Sequence, residues 1–297
     1  MDNGDVTEDW SRYWRSAEQP LEAMYAHFAR HVYHRHSHET YSFGVTDSGA
    51  QTFTCRGAAH TSAAGMVMAF NPDDPHDGHA ADASGFTYRM IHIGPELVTG
   101  VLADVTDRRI GRPLFAEPVI ADPVLARGLR ALHAALLASP AGRPHRSGGA
   151  PATALRRDEL LTTAVAAIVR RAAAAGELAR PERSGELARV AALARRVIRA
   201  AFLDDITAGA LAAATGRSRF TVYRAFTSTY GMAPSDYQRE LRLREARRLL
   251  AGGLAISDVA ARTGFADQGH LTRWFGRYYG ITPGGYRSAV TGVPAAP

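Results

Sequence analysis

Two groups of side chains in this 297-residue sequence have types and spacings that can do chemistry. The first is the run His34-Arg35-His36-Ser37-His38-Glu39, where three imidazoles recur at period two and so share one face of an extended strand. Imidazole changes charge near neutral pH, donates and accepts hydrogen bonds, and ligates divalent metals. His76 and His79 follow the turn Asn71-Pro72-Asp73-Asp74-Pro75, and Tyr41, Phe43, Arg89 and His92 lie on neighbouring strand-like segments. His36, His38, His76, Tyr41, Phe43, Arg89 and His92 are therefore the candidate lining of a small-molecule pocket, although strand alternation gives Tyr41 and Phe43 a packing role as the alternative. No residue is assigned a catalytic role, no cofactor is implied, and no metal is assigned.

The second group lies near the C-terminus. Val222 with Phe226, and Leu271 with Phe275, are four apart and so turn toward a core if these stretches are helical. That leaves Arg219, Thr221, Tyr223 and Arg224 on the open side of one helix, and Gln268, Gly269, His270, Thr272 and Arg273 on the open side of another. Arginine can bond bidentately to guanine O6 and N7, glutamine can pair with adenine, and threonine methyls and aromatic rings can pack on thymine methyls. Gly269 offers only close approach. For a single arginine, a phosphate contact or an ion pair at the edge of the core is the competing role, because most protein–DNA hydrogen bonds go to the backbone.

The elements that must position this second group are revealed by an internal repeat. At an offset of 48, Ala212, Ala213, Thr215 and Gly216 fall on Ala260, Ala261, Thr263 and Gly264. With one residue inserted, Arg224, Phe226, Tyr230, Gly231, Pro234 and Tyr237 fall on Arg273, Phe275, Tyr279, Gly280, Pro283 and Tyr286. Each copy predicts a short helix (Ala210 to Thr215; Val259 to Thr263) closed by a glycine, then a second helix (Arg219 to Tyr230; Gln268 to Tyr279) capped by Ser218 or Asp267. A glycine stops each second helix and a proline opens the next. This is helix, tight turn, helix, used twice. A longer helix, Pro234 to Leu250, lies between the copies and should set the spacing of the two open faces.

The first group needs strands. Tyr41 to Thr46, Gln51 to Cys55, Met66 to Phe70 and Phe86 to Ile93 read as short strands, with turns expected at Asp47-Ser48-Gly49, Ala64-Gly65 and Asn71 to Asp74. That spacing predicts a small β-barrel or sandwich. From Asp122 the pattern turns helical, with Leu125, Leu129, Leu132 and Leu136 on one face, and a second helix is expected over Leu155 to Ala175. Such an apolar stripe covers a domain's own core or joins two subunits; a homodimer is the expectation carried forward. Ser139 to Pro151 reads as a loop and Gly176 to Gly185 as an interdomain linker.

Composition narrows the function classes. All 35 basic residues are arginine, and the net charge of +6 is unevenly placed. After residue 185 there are 16 arginines against 8 acidic residues, whereas the preceding part is close to neutral. A basic C-terminal segment points to a polyanion such as double-stranded DNA, with a solvated basic face as the alternative. Cys55 is the single cysteine, which excludes an intrachain disulfide, and residues 1–20 lack an export leader's pattern, so a soluble cytoplasmic protein is expected. The longest apolar candidate, Leu160 to Val169, runs into Arg170 and Arg171 and falls short of the roughly 20 residues a membrane span needs.

The C-terminal pattern closely resembles the AraC/XylS family of transcription regulators. The resemblance rests on Leu211-Ala212, Gly216, Ser218, Arg224, Phe226, Gly231, Pro234, Tyr237, Arg244, Ala246 and Leu249-Leu250. Its second half rests on Ile256, Val259-Ala260, Gly264-Phe265, Leu271, Arg273, Phe275, Gly280, Pro283 and Tyr286-Arg287. It implies that Phe220, Thr221, Tyr223 and Arg224, then Gln268, Gly269, Thr272 and Arg273, reach DNA. Ala233 departs from the pattern, which usually has Ser or Thr before that proline. The N-terminal part is similar to the cupin-type sensor domain that precedes this DNA-binding domain, through His36-Ser37-His38, Gly49, Gly65, Pro72 and His76.

In metal-binding cupins two such histidines act with a Glu a few residues on and a later His; here the position four after His38 is Ser42, and Glu39 lies too close to replace it neatly. The expectation is thus a two-domain protein, an N-terminal all-β cupin-like barrel with trailing helices and a C-terminal all-α domain with two helix-turn-helix units. Its layout is residues 1–120 for an effector-sensing barrel, 121–175 for the helical segment, 176–185 for the linker and 186–290 for the DNA-binding domain. Expected partners are double-stranded DNA, a small-molecule effector, RNA polymerase and a second copy of the chain. The alternative is a metal-dependent cupin enzyme with a DNA-binding appendage.

Overall fold

The computed structural model describes residues 8–16, 20–106, 112–137, 160–161, 163–168 and 185–291. The expected loop 139–151 and all of the expected linker except Gly185 lie outside these residues. Contacts divide the chain into two compact units, the main division falling between residues 179 and 180.

The first unit is an antiparallel sheet with helices. In chain order the strands are β1 (Trp10–Arg15), β2 (Leu21–Phe28), β3 (Tyr33–His36), β4 (Tyr41–Cys55), β5 (Ala58–Ala63), β6 (Val67–Phe70), β7 (His76–Ala80) and β8 (Phe86–Ile93); residues 33–37 and 75–77, which carry β3 and the start of β7, are counted with the second unit. Helix α1 (Pro95–Thr106), strand β9 (Val119–Ile120) and helix α2 (Pro123–Leu137) follow. A further helix, α3, is described at 160–161 and 163–168. The sheet order is β1-β2-β8-β4-β6-β9; β5 and β7 also pair with β4, and β3 pairs with β7.

Period-two alternation assigns the two faces of this sheet. Tyr41, Phe43 and Val45 share one face with Leu21, Ala23, Ile91 and Ile93, and α1, α2 and α3 cover it through Leu102, Leu129, Leu132 and Ile168 in a single core. The leucine stripe of α2 is therefore spent on its own unit, and Asp122 starts that helix by accepting from the Val124 and Leu125 N–H groups at 3.0 Å each. The opposite face carries Met24, Phe28, Met68, Phe86, Tyr88 and Met90, which are buried as well. On this face the Phe53 and Phe70 rings lie 5.1 Å apart and the Phe86 and Tyr88 rings 5.2 Å apart.

One expected turn is a β-bulge instead. The chain runs straight through Asp47-Ser48-Gly49 as part of β4, with a register shift between Thr46 and Ser48 against β8. Gly49 takes φ +68°, and a Cβ there would lie 2.1 Å from the Gly85 carbonyl oxygen. The extra residue moves the inward set by one, from Ser42, Gly44 and Thr46 to Gln51, Phe53 and Cys55, which keeps the second half of β4 facing the interior.

The second unit contains α4 (Glu186–Ala200), α5 (Ala208–Thr215), α6 (Arg219–Tyr230), α7 (Pro234–Ala251), α8 (Ile256–Arg262), α9 (Gln268–Tyr279) and α10 (Pro283–Thr291). The first three-helix layer packs Val190, Ala194 and Ile198 of α4 on Leu211, Val222, Phe226 and Tyr237. The second is built around Leu243, Ala246, Leu250, Val259, Leu271, Phe275 and Tyr286, all buried. Helix α7 belongs to both: its first turn closes one layer and its later turns open the next.

The repeat extends further back than its sequence match. The Arg195 guanidinium lies over the rings of Tyr230 and Tyr237 at 5.1 and 5.6 Å, and Arg247 lies over Tyr279 and Tyr286 at 4.7 and 5.4 Å. Helix α4 thus does for the first copy what α7 does for the second, at a spacing unlike that of the other matched residues. The cap before Pro234 is absent, since Ala233 has no side-chain acceptor. Its counterpart Thr282 does accept, from the Gly285 N–H at 3.0 Å.

Candidate nucleic-acid interface and effector pocket

Helices α6 and α9 are presented the same way. Gly216 and Gly264 turn the chain at φ +63° and +72°, a left-handed conformation that costs glycine little. The next helix then starts on a side-chain cap: Ser218 Oγ accepts from the Thr221 N–H at 3.2 Å, and Asp267 Oδ1 accepts from the His270 N–H at 2.6 Å. Val222 and Phe226, and Leu271 and Phe275, are buried, which fixes the roll of each helix. The opposite side is open. Phe220 is 70% exposed and Tyr223 is 53% exposed. Arg219, Arg224, Gln268, Gly269 and Arg273 are exposed, and Thr221, His270 and Thr272 are partly so.

Within this set some side chains stand open and others are engaged in local contacts. Arg224 lies over the Phe220 ring at 5.8 Å, so the two form one exposed cationic and aromatic patch. Thr221 Oγ1 sits 2.9 Å from Ser218 Oγ and belongs to the cap. His270 is engaged locally: its Nε2 accepts from the Trp274 indole N–H at 3.0 Å, and its ring packs on Phe265 at 5.4 Å. Its Nδ1 lies 3.4 Å from the Ala266 backbone nitrogen. Trp274, which sequence reasoning passed over, is held between Arg239 and Arg277 at 3.9 and 5.1 Å. No signal short of the packed structure marked it.

The histidines stand as ring pairs within each unit. The His36 and His76 rings are 4.5 Å apart, and His38 lies 4.7 Å from His92. His36 Nδ1 contacts the His34 carbonyl oxygen at 2.6 Å, which orients that ring. Ser42 is buried and its Oγ sits 2.8 Å from His92 Nδ1. The position where a carboxylate ligand is looked for is thus a hydroxyl bonded to a fourth imidazole. Paired imidazoles can ligate a divalent cation through neutral nitrogens, or can grip an acidic or hydroxylated small molecule.

Tyr41, Phe43 and Arg89 are not brought to those histidines. Alternation puts Tyr41 and Phe43 on the helix-covered face, where they stack at 6.2 Å and meet Phe115 edge-on. The Tyr41 hydroxyl donates to the Pro113 carbonyl at 2.8 Å, and burial pushes its pKa up to about 12. Arg89 donates to Asp47 at 2.6 Å and lies over the Tyr25 ring at 4.4 Å. Asp47 also accepts from Arg130 of α2 at 2.7 Å, so this network joins the bulge to the covering helix. Burial pushes the His133 pKa down to about 4 beside it, against the backbone hydrogen bond to Met24.

Comparison with known proteins agrees with this geometry. Residues 18–165 match the family described as AraC-like ligand binding domain, and residues 211–289 match a helix-turn-helix domain family. The uncharacterized HTH-type transcriptional regulator YbfI of Bacillus subtilis (strain 168) is 27% identical over 237 residues, 80% of each chain. The transcriptional activator NphR of Rhodococcus sp is 36% identical over 146 residues, 48% of this chain and 41% of its own. ToxT from Vibrio cholerae O395 superposes with a TM-score of 0.54 at 10% identity, covering 96% of this chain and 99% of ToxT. Wild-type ToxT of strain SCE256 with an unsaturated fatty acid bound gives 0.55 at 9% identity, with 99% of both chains covered. At such identities the likeness to ToxT is one of fold.

Proposed function

Because this chain belongs to the AraC/XylS family of transcription regulators, with a ligand-binding domain and a helix-turn-helix DNA-binding domain, we propose that α6 and α9 each read one segment of double-stranded DNA. The observation that carries this is the pairing of two capped, outward-facing helices on one shared helix, with different residues on their open sides. Arg219, Phe220, Tyr223 and Arg224 read the first segment; Gln268, Thr272 and Arg273 read the second, with Gly269 allowing close approach. The test is footprinting of the full chain on sites selected from a random-sequence pool. Two protected major-groove segments about one helical turn, 10 to 10.5 base pairs, apart are expected. A single protected segment overturns the reading.

His36, His38, His76 and His92 are the effector-binding residues in this proposal, with Ser42 as a further hydrogen-bonding group. That ToxT has been solved with a fatty acid bound supports small-molecule input to this kind of fold. The chemistry here is different, since an imidazole-lined site selects for polar groups. A second reading, in which the effector is a divalent metal ion, is favoured by the imidazole pairs His36–His76 and His38–His92, at 4.5 and 4.7 Å between rings. Elemental analysis of protein purified without chelator separates the two. RNA polymerase and a second copy of the chain complete the proposed partners, the latter checked by sedimentation. A DNA target places the protein in the compartment that holds DNA; among the described residues no helix is long and apolar enough to cross a membrane.

A further inference from the structure

We propose that Arg242 is a positioning residue that sets the rotation of the second reading helix relative to the first, so that the two accept one spacing between their DNA segments. The inference rests on the two-segment reading above. Arg242 lies near the middle of α7, the helix both layers share. Its Nε donates to the Phe202 carbonyl at 2.8 Å, and its Nη2 donates to the Asp204 and Leu203 carbonyls at 2.9 and 3.4 Å. Its Nη1 donates to the Gly264 carbonyl at 2.9 Å. One planar fork therefore joins the loop that leads into α5 to the turn that leads into α9.

Arginine is the side chain suited to this work. Its guanidinium stays charged and presents donors in fixed directions, so it can meet several carbonyls at once, whereas an ammonium acts as a point charge. The loop end is held twice, because Gln238 Nε2 also donates to the Phe202 and Asp204 carbonyls at 3.0 and 2.8 Å. The Gly264 end depends on Arg242. There the surface is shaped to the guanidinium, since a Cβ on Gly264 would lie 2.8 Å from Arg242 Cζ. Helix α8 hangs from α7 through Gly252 and Gly253, the latter at φ +84°. A glycine pair leaves rotational freedom that buried packing limits and a polar tie can lock.

The test uses the full chain and a selected DNA site, with the interval between its two protected segments shortened or lengthened by one and two base pairs. The unaltered protein should bind one interval well and its neighbours poorly. Arg242→Ala should lower affinity at the preferred interval about tenfold and flatten the dependence on interval, while base preference inside each segment stays as it was. Gly264→Ala, which pushes a methyl group into the guanidinium from the other side, should flatten the same profile. If Arg242→Ala loses its helical signal, Arg242→Gln is scored instead. An unchanged interval profile in folded variants overturns the role of Arg242 alone. A single protected segment in the unaltered protein overturns both this inference and the two-segment reading.

Discussion

His133 Nε2 lies 2.9 Å from the Met24 carbonyl oxygen, where the imidazole has no solvent exposure. Its Nδ1 lies 3.4 Å from an Arg89 nitrogen, so the fitting species is the neutral ring with its proton on Nε2.

A stability change in mild acid follows. The folded pKa of His133 is pushed down to about 4 from 6.5, chiefly by burial. The unfolded chain then takes up a proton that the folded protein refuses. Stability is complete above pH 6.5 and is lost as pH falls toward 4, by about 3 kcal/mol over the full window. Urea unfolding at pH 7.5, 5.5 and 4.5 measures it. His133→Gln, which can keep a donor to Met24, should flatten this acid limb; an equally steep limb in the variant would show that other groups set it.

Replacing the bulge glycine should be costly. Gly49 holds φ +68° and has the Gly85 carbonyl where a Cβ would sit. Gly49→Ala should destabilise the protein by about 3 kcal/mol, from backbone strain plus displacement of β8. Thermal melts read the loss, and a wild-type melting temperature would mean that the bulge shifts freely.

The arginines proposed to read DNA should act locally. Arg224→Ala and Arg273→Ala should each cost about 1–3 kcal/mol at one DNA segment and relax base preference there, leaving the other segment intact. Equal weakening on all sequences would instead make them phosphate clamps. His270→Ala should act differently, lowering helix stability through Trp274 with little change in sequence preference.

The histidines proposed to bind effector should govern the response to it and leave basal DNA binding intact. Replacing His36 and His38 together should abolish uptake of Co(II) or the response to a candidate polar ligand, read by titration, while affinity for the selected DNA site stays within about twofold. Metal uptake that survives the double substitution would place the metal elsewhere.

Local patterns by themselves determined the helical half of the protein. Glycines at positive φ, side-chain caps at Ser218 and Asp267, and apolar residues four apart are short-range devices, so α6 and α9 were legible to the residue and their open faces followed. The histidines were legible as a cluster for the same reason, since period two and a following turn are local. Tertiary structure decided what depends on neighbours distant in sequence. Asp47-Ser48-Gly49 looks like a turn until β8 pairs across it and the inward set must be kept. Tyr41 and Phe43 look like pocket walls until α2 covers their face, and β2 was missed because burial on both faces erases alternation. Arg242 and His270 carry no periodic signal; their partners are carbonyls and an indole that only folding brings within reach.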